Sequence, residues 1–573
     1  MHRRLGRFAQ PSPSLAVVGL AMVAAAVLLA HESRGEWFGT DDLGYGVRLS
    51  TEPLSHALLH PPPDKYLIAF PLLVYKALFE TFGMGSYLPY RVTGILLVLL
   101  SAGLLFALLR RWLPDRYAIP PTLLMLFFGA GSEVVVNPVR MPSQIALAAG
   151  LGMMLALERR NRRGDLAAMV LVAISLASHP VGIAFAAAGV VMIVLSSWDG
   201  WKRLWVIVLP GVLFAAWWLF IRPPPNSSFP NPPEEVFAFV RHSWVALTAA
   251  VSGLFGVLEQ PAFHQTPAKV AAVALFGLIA LGIGFGGRRL PPIFWASLVG
   301  LVVLMVTTRL APAGFLRMPD GPRYLYPEAF LLLIALGALA GSLKLPGWSM
   351  WAASAVLLVS LWPNIDRLHD AGRQYAQQSE QYRVRWSAVE IAGPSAQPGF
   401  QFNPFSPNAG EYLAVVRDFG HGGYTADEIA AKPEWLRHVV DVDEVGALAL
   451  KLEPAPTPPK GGVPPRVADP RIAATKTGGC RTVSGGTPAE ETASESRGVE
   501  FLLPTGGAWL GLSTPADASI YLGRFADQTT VPLRRPAGAR GLELRIPPDQ
   551  ASIPWRLLVR SGSLITVCGL GQG

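Results

Sequence analysis

Apolar residues in this chain run in long blocks, not in the alternation of a half-buried strand. Leu15–Ala30, Val92–Leu109 and Tyr324–Gly341 each come close to the ~20 residues that carry a helix across a bilayer. The pattern predicts eleven spans, at roughly 15–31, 92–110, 118–136, 143–158, 165–179, 181–197, 203–221, 268–285, 291–308, 324–341 and 347–363. With the N-terminus in the cytoplasm, every cytoplasmic loop carries a basic residue beside a span. These are Arg110, Arg111 and Arg116; Arg159, Arg160, Arg162 and Arg163; Lys202 and Arg203; Arg288 and Arg289; and Lys344. That is the positive-inside bias. Arg3, Arg4 and Arg7 precede a first span that reads as a retained signal-anchor, since no small-residue cleavage site precedes the polar loop.

Three long segments then face outward, at 32–91, 222–267 and 364–573. The first holds a His-Pro-Pro turn running into YLIAFPLLVYKALFETFG, which suits a helix along the membrane. The second opens Pro-rich and continues as an amphipathic stretch suited to the interface. The third is mixed over 364–452, with helical patterns at about 365–390 and 409–418. Within it Thr425 and Glu428 have the spacing of a capping box. A Pro/Gly linker at 453–470 follows. Short strands between Gly, Pro and Asp turns over 471–573 then predict a small β-sandwich. The expected domains are a transmembrane domain at 1–363, whose first outer loop is 32–91, the mixed segment, the linker and the sandwich.

Composition supports this division. Hydrophobic residues are 51% and charged residues 15%, well below the ~25% charge of a soluble domain. The net charge of +9 falls mostly at span ends, so it argues for a membrane lipid partner and against nucleic acid. The two cysteines, Cys480 and Cys568, lie near the two ends of the sandwich segment. In an oxidising exterior they are expected to pair, and closing so long a loop stabilises by ~4–5 kcal/mol in the chain-entropy account.

Candidate chemistry concentrates in the first outer loop. Asp41 and Asp42 follow the first span, and adjacent side chains rarely face the same way, so the pair is expected to divide its work. One carboxylate suits a general base for an acceptor hydroxyl, the other a helper; a helix cap is the plain alternative. His60, Asp64, Lys65 and Tyr66 follow in the Pro-rich turn, where Lys65 and His60 suit phosphate contact. Arg91, Arg140 and Arg323, with Arg309 and Arg317, lie outside against the usual bias, and a guanidinium pairs well with phosphate oxygens. His179 lies at an outer turn. There is no HExxH, no Cys/His ligand spacing, no P-loop and no GxGxxG after a strand. No cofactor or metal is therefore assigned, and a divalent cation is left open without a motif to support it.

The set Asp41-Asp42, His60-Pro61-Pro62, Tyr66, Gly83, Arg91 and Arg323-Tyr324-Leu325-Tyr326-Pro327 resembles the C-type (GT-C) membrane glycosyltransferases. Among these the chain looks like the bacterial protein O-mannosyltransferase and aminoarabinose-transferase relatives, over roughly residues 10–365. The resemblance implies a polytopic helical fold and a polyprenyl-phosphate-linked sugar donor. It implies transfer with inversion to a glycan, lipid or protein acceptor of the cell envelope, in a bacterial plasma membrane. Asp41 occupies the position of the family's first-loop Asp, while Asp42 stands where Glu is commoner and His179-Pro180 where Arg-Pro often stands. Tyr324 belongs to the late R-Y-x-x-P pattern. The tail resembles sugar-binding sandwiches, with Trp509, Tyr521 and Trp555 as candidate stacking aromatics; ordinary core aromatics are the plain alternative. A lipid-linked sugar flippase and a non-catalytic cell-wall-binding scaffold remain the rival readings.

Overall fold

The computed structural model describes residues 13–62, 66–196, 200–224, 238–257, 290–310, 317–343, 347–455, 463–484, 498–539 and 541–571, with parts of 269–284. The helices in chain order are α1 (Pro13–Glu32), α2 (Thr40–Thr51), α3 (Leu54–Leu59), α4 (Ala69–Phe82), α5 (Leu88–Leu109), α6 (Asp115–Leu126), α7 (Ser132–Val135) and α8 (Met141–Leu157). They continue as α9 (Arg162–Leu176), α10 (Val181–Ser196), α11 (Trp205–Phe220), α12 (Phe239–Leu254), α13 (Pro292–Leu310), α14 (Pro322–Leu343), α15 (Gly347–Val359) and α16 (Leu361–Ala392). Last come α17 (Ala409–Phe419), α18 (Ala426–Ala430) and α19 (Glu434–Ala447). The chain divides into two compact units. One comprises Met1–Glu36, Glu52–Thr81 and Tyr87–Gln377; the other comprises Trp37–Thr51, Phe82–Ser86 and Gln378–Gly573.

The first unit is the membrane part. Among the described residues five helices are long and apolar enough to cross a bilayer: Pro13–Glu32, Leu88–Leu109, Pro138–Leu157, Pro292–Leu310 and Pro322–Leu343. Asp115–Leu126 with Gly129–Val135 makes a sixth span, bent by 42°, and α10 and α11 are shorter apolar helices. The chain is an integral membrane protein. α1 exposes Leu20, Val23 and Val27 while Ala25 and Leu29 pack inward, the one-sided burial of a helix at the lipid edge. α8 and α14 are buried almost all round and form the centre.

Eleven full-length spans are not what these helices make. The 165–179 segment forms α9, only 15 residues long. The 347–363 segment gives the 13-residue α15 and then the start of α16. Much of 268–285 lies outside the described residues. The break in 118–136 has a side-chain cause. Asn364, fully buried, accepts the Ala130 N–H at 3.0 Å and donates to the carbonyls of Gly253 (3.1 Å) and Ser360 (2.9 Å). A Cβ on Gly129 would lie 1.9 Å from the Asn364 carbonyl oxygen, so glycine permits the close approach that kinks the span. The amphipathic stretch in the second outer segment forms α12, which packs inward on α13 and α14.

The second unit joins two pieces of the first loop to the tail. α2 packs on α17. Gly83 has φ +60° and its position would bring a Cβ within 2.5 Å of the Phe419 carbonyl oxygen, which accepts the Met84 N–H at 3.0 Å. α17 and α18 each start with a capping box, Asn408 with Glu411 and Thr425 with Glu428, as the Thr425 spacing predicts.

The strands are β1 (Leu452–Pro454), β2 (Arg466–Val467), β3 (Ala474–Thr477), β4 (Cys480–Val483), β5 (Val499–Leu502), β6 (Ala508–Ser513), β7 (Ser519–Gly523), β8 (Val531–Pro532), β9 (Gly541–Ile546), β10 (Arg556–Arg560) and β11 (Ile565–Gly571). They form the two antiparallel sheets of a small sandwich, ordered β1-β9-β6-β11-β4-β3 and β2-β5-β10-β7-β8. β1 and β2, which precede residue 471, are part of it. Cys480 and Cys568 face each other across β4 and β11 and are disulfide-bonded, with S–S 2.07 Å.

Candidate functional site

In the second unit the first-loop acids open α2. Asp42 is fully buried, and its Oδ2 accepts the Gly39 N–H at 2.9 Å, closing the helix start in the manner of a cap. Asp41, one position earlier in the same turn, is partly exposed. Thr40 donates to the Tyr382 hydroxyl of α16 at 3.2 Å, which fixes this end of α2 within its unit.

In the first unit a charged cluster forms at the ends of apolar helices. Glu133, on α7, is ion-paired with Arg140 and lies 3.8 Å from Arg323 at the start of α14. The Arg323 guanidinium stacks over the Tyr324 ring at 5.0 Å. His179, in the turn between α9 and α10, meets the Tyr66 ring edge-on at 4.5 Å. Desolvation in this enclosed turn, followed by the charges of Arg140, Arg317 and Arg323, pushes the His179 imidazole down to about 3. Tyr375 of α16 feels the same groups. Its burial raises the phenol above its usual range, Glu133 and Glu36 add to this, and Arg140 and Arg323 oppose it. Arg140, Arg317 and Arg323 thus act electrostatically on one imidazole, and Glu133 lies between two of them.

Other sequence candidates go elsewhere. Arg91 donates to the Ser33 carbonyl at 3.1 Å, joining the start of α5 to the end of α1. His60 ends α3 and stacks on His56 at 4.5 Å. Asp64 and Lys65 lie outside the described residues. Trp555 is buried, with the Arg524 guanidinium 4.3 Å from its ring and its N–H donated to Asp549 at 3.2 Å, so it is a core residue and no sugar platform. Among the described residues no group of His, Cys, Asp and Glu is arranged to hold a metal ion. Sequence reasoning missed Glu133, Glu36 and Tyr375. An acid inside an apolar segment, as in GAGSEVVV, is a signal that Glu133 did carry.

No protein-family model matches the chain, and no curated protein sequence matches it significantly. Solved structures are similar. ArnT from Cupriavidus metallidurans bound to undecaprenyl phosphate is 16% identical, with TM-score 0.45, over 70% of this chain and 84% of that one. The apo state of the same protein is 15% identical, with TM-score 0.45, over 70% and 85%. The Archaeoglobus fulgidus oligosaccharyltransferase in complex with Zn and sulfate is 13% identical, with TM-score 0.36, over 64% and 55%.

Proposed function

We propose that the protein is a GT-C glycosyltransferase that moves a sugar from a polyprenyl phosphate to a glycan, lipid or protein acceptor outside the cytoplasm. The observation that carries this reading is the Glu133–Arg140–Arg323 cluster at the starts of the apolar helices α8 and α14. A lipid carried in the bilayer presents its phosphate at that level, and no nucleotide-binding motif is then needed. In the reaction Asp41 takes the proton of an acceptor hydroxyl. The oxygen attacks the anomeric carbon from the face opposite the phosphate, the carbon–oxygen bond to phosphate breaks, and its electron pair leaves on the phosphate. The configuration inverts. The arginines stabilise the charge that develops on the leaving group, Asp42 holds Asp41's helix turn in place, and His179 serves as a neutral hydrogen-bonding group at pH 7. The active side and the tail face outward and the N-terminus is cytoplasmic.

The test uses purified full-length protein and undecaprenyl phosphate, free and sugar-linked. Asp41→Asn lowers transfer by ~10²–10⁴, the usual contribution of a general base, and leaves binding of undecaprenyl phosphate intact. Arg140→Gln and Arg323→Gln weaken that binding. Transfer at the wild-type rate by Asp41→Asn sinks the assignment of the base, and unchanged lipid binding by both arginine variants sinks the phosphate site.

A further inference from the structure

A second polar site lies in the tail unit. It is a half-open cleft of about 270 Å³ lined by His421, Glu390, Gly423, Thr425, Gln550 and Tyr424. Glu390 is nearly buried and is saturated with donors. Its Oε1 accepts the Tyr412 hydroxyl (2.5 Å) and the N–H groups of Gly423 (2.9 Å) and Gly422 (3.2 Å), and its Oε2 faces His421 Nδ1 at 3.0 Å. A carboxylate so surrounded accepts at that last position, so His421 donates from Nδ1. In that tautomer Nε2 carries the lone pair, on a side chain that is 72% exposed.

We infer that this cleft is an acceptor subsite that takes a neutral, polyhydroxylated ligand, a glycan. His421 Nε2 accepts a hydrogen bond from a sugar hydroxyl. The Gln550 carboxamide offers both a donor and an acceptor, and Ile391 and Ala426 supply apolar wall. The charge balance selects against ions. An anion would meet the Glu390 carboxylate, while the nearby cations are already engaged: Arg383 on the Gly422 carbonyl and the Tyr424 ring, Lys432 on Glu380 and the same ring. A metal would find one imidazole and a carboxylate already committed. The Tyr424 ring already carries those cations at 3.9 and 3.8 Å from its centroid, so recognition here works through hydrogen bonds and not through ring stacking.

The location fits an acceptor that extends past the reacting end. Thr40, beside Asp41, bonds Tyr382, and Glu390 lies eight residues further along α16, about 12 Å at 1.5 Å per residue. That span corresponds to a few sugar units. The Gly422 backbone packs against Trp37 and Met84 of the first-loop pieces, where an added Cβ would lie 3.2 and 3.1 Å from them. This assignment rests on the glycosyltransferase reading for the word acceptor, but its test needs neither donor nor transfer.

Full-length protein in detergent is probed by saturation-transfer NMR with short neutral oligosaccharides of mannose, arabinose, galactose and glucose, and with oligogalacturonate as an acidic control. At least one neutral oligosaccharide binds, and His421→Ala and Gln550→Ala each weaken it tenfold or more without changing undecaprenyl phosphate binding. Three results overturn the inference: no neutral oligosaccharide binds the wild type, both variants bind like the wild type, or the acidic control binds best. An Asp41→Asn protein that fails to transfer but still binds the oligosaccharide supports both readings. An Asp41→Asn protein that transfers normally removes Asp41 as the base and leaves the cleft's result standing.

Discussion

Asp42 accepts the backbone N–H of Gly39 at 2.9 Å from a fully buried position, and this bond separates the tasks of the two first-loop acids. Asp42 belongs to the start of α2, and losing it leaves a partly buried donor unsatisfied. Asp42→Ala is expected to cost about 1–2 kcal/mol. Asp41→Asn, at a half-exposed position, stays within ~0.5 kcal/mol of wild type. Thermal unfolding of the two variants in detergent measures the difference, and equal melting temperatures would overturn the division of roles.

Glu133 joins Arg140 and Arg323, two cations that would otherwise repel and splay. Glu133→Gln therefore weakens undecaprenyl phosphate binding about tenfold, or ~1.4 kcal/mol, and Glu133→Asp recovers part of it. Orientation outweighs the extra positive charge because the Arg140 pair is in direct contact. Tighter binding by Glu133→Gln, read by titration, would mean that the carboxylate competes with phosphate instead of organising the arms.

The spans around α1, α5 and α14 were legible because an apolar run of bilayer length has few other uses. The bend in 118–136 was not, because Asn364 sets it from a position 234 residues away in sequence. In the site, Arg140, Arg323, His179 and Tyr66 could be named from residue type and outer placement. Tyr375 could not, because it arrives on a tail helix whose packing the local pattern does not encode. The two pieces of the first loop that join the tail unit are likewise fixed by long-range packing. Gly83 against Phe419 is an example, where the Phe-Gly pair marks a helix end but not its partner. Trp555 is the core aromatic of its two readings for the same reason, since a buried Arg524 claims its ring.

The tail has its own pH dependence. Burial raises the Asp443 carboxyl to about 6, partly offset by Arg385 at 3.5 Å. An unfolded carboxyl titrates near ~3.9, so between these values the folded protein holds more protons than the unfolded chain. Stability therefore falls as pH rises through about 6, and the full penalty is present above it. Asp443→Asn removes the penalty, raising stability at pH 8 by about 3 kcal/mol, since each pKa step is worth ~1.4 kcal/mol, with little change at pH 4. Melting curves of full-length protein at the two pH values decide it, and a variant that is no more stable at pH 8 refutes the account.

Arg524 ties the helices of the tail to its sandwich. Its Nε donates to Glu444 at 2.9 Å, and its Nη2 donates to Asp549 at 2.9 Å and also contacts Glu444. All three side chains are almost fully buried, at 1%, 0% and 2% exposure. Burying the charges is costly, so the triad's value lies in its completeness, and removing the cation strands two carboxylates. Arg524→Met is expected to cost about 3–5 kcal/mol, the range for breaking a buried ion pair. The triple variant R524M/E444M/D549N, which strands no charge, recovers more than half of that loss. Full-length protein followed by tryptophan fluorescence on heating reports both values. A triple variant no more stable than Arg524→Met would show that the directional hydrogen bonds, and not the uncompensated charge, set the cost.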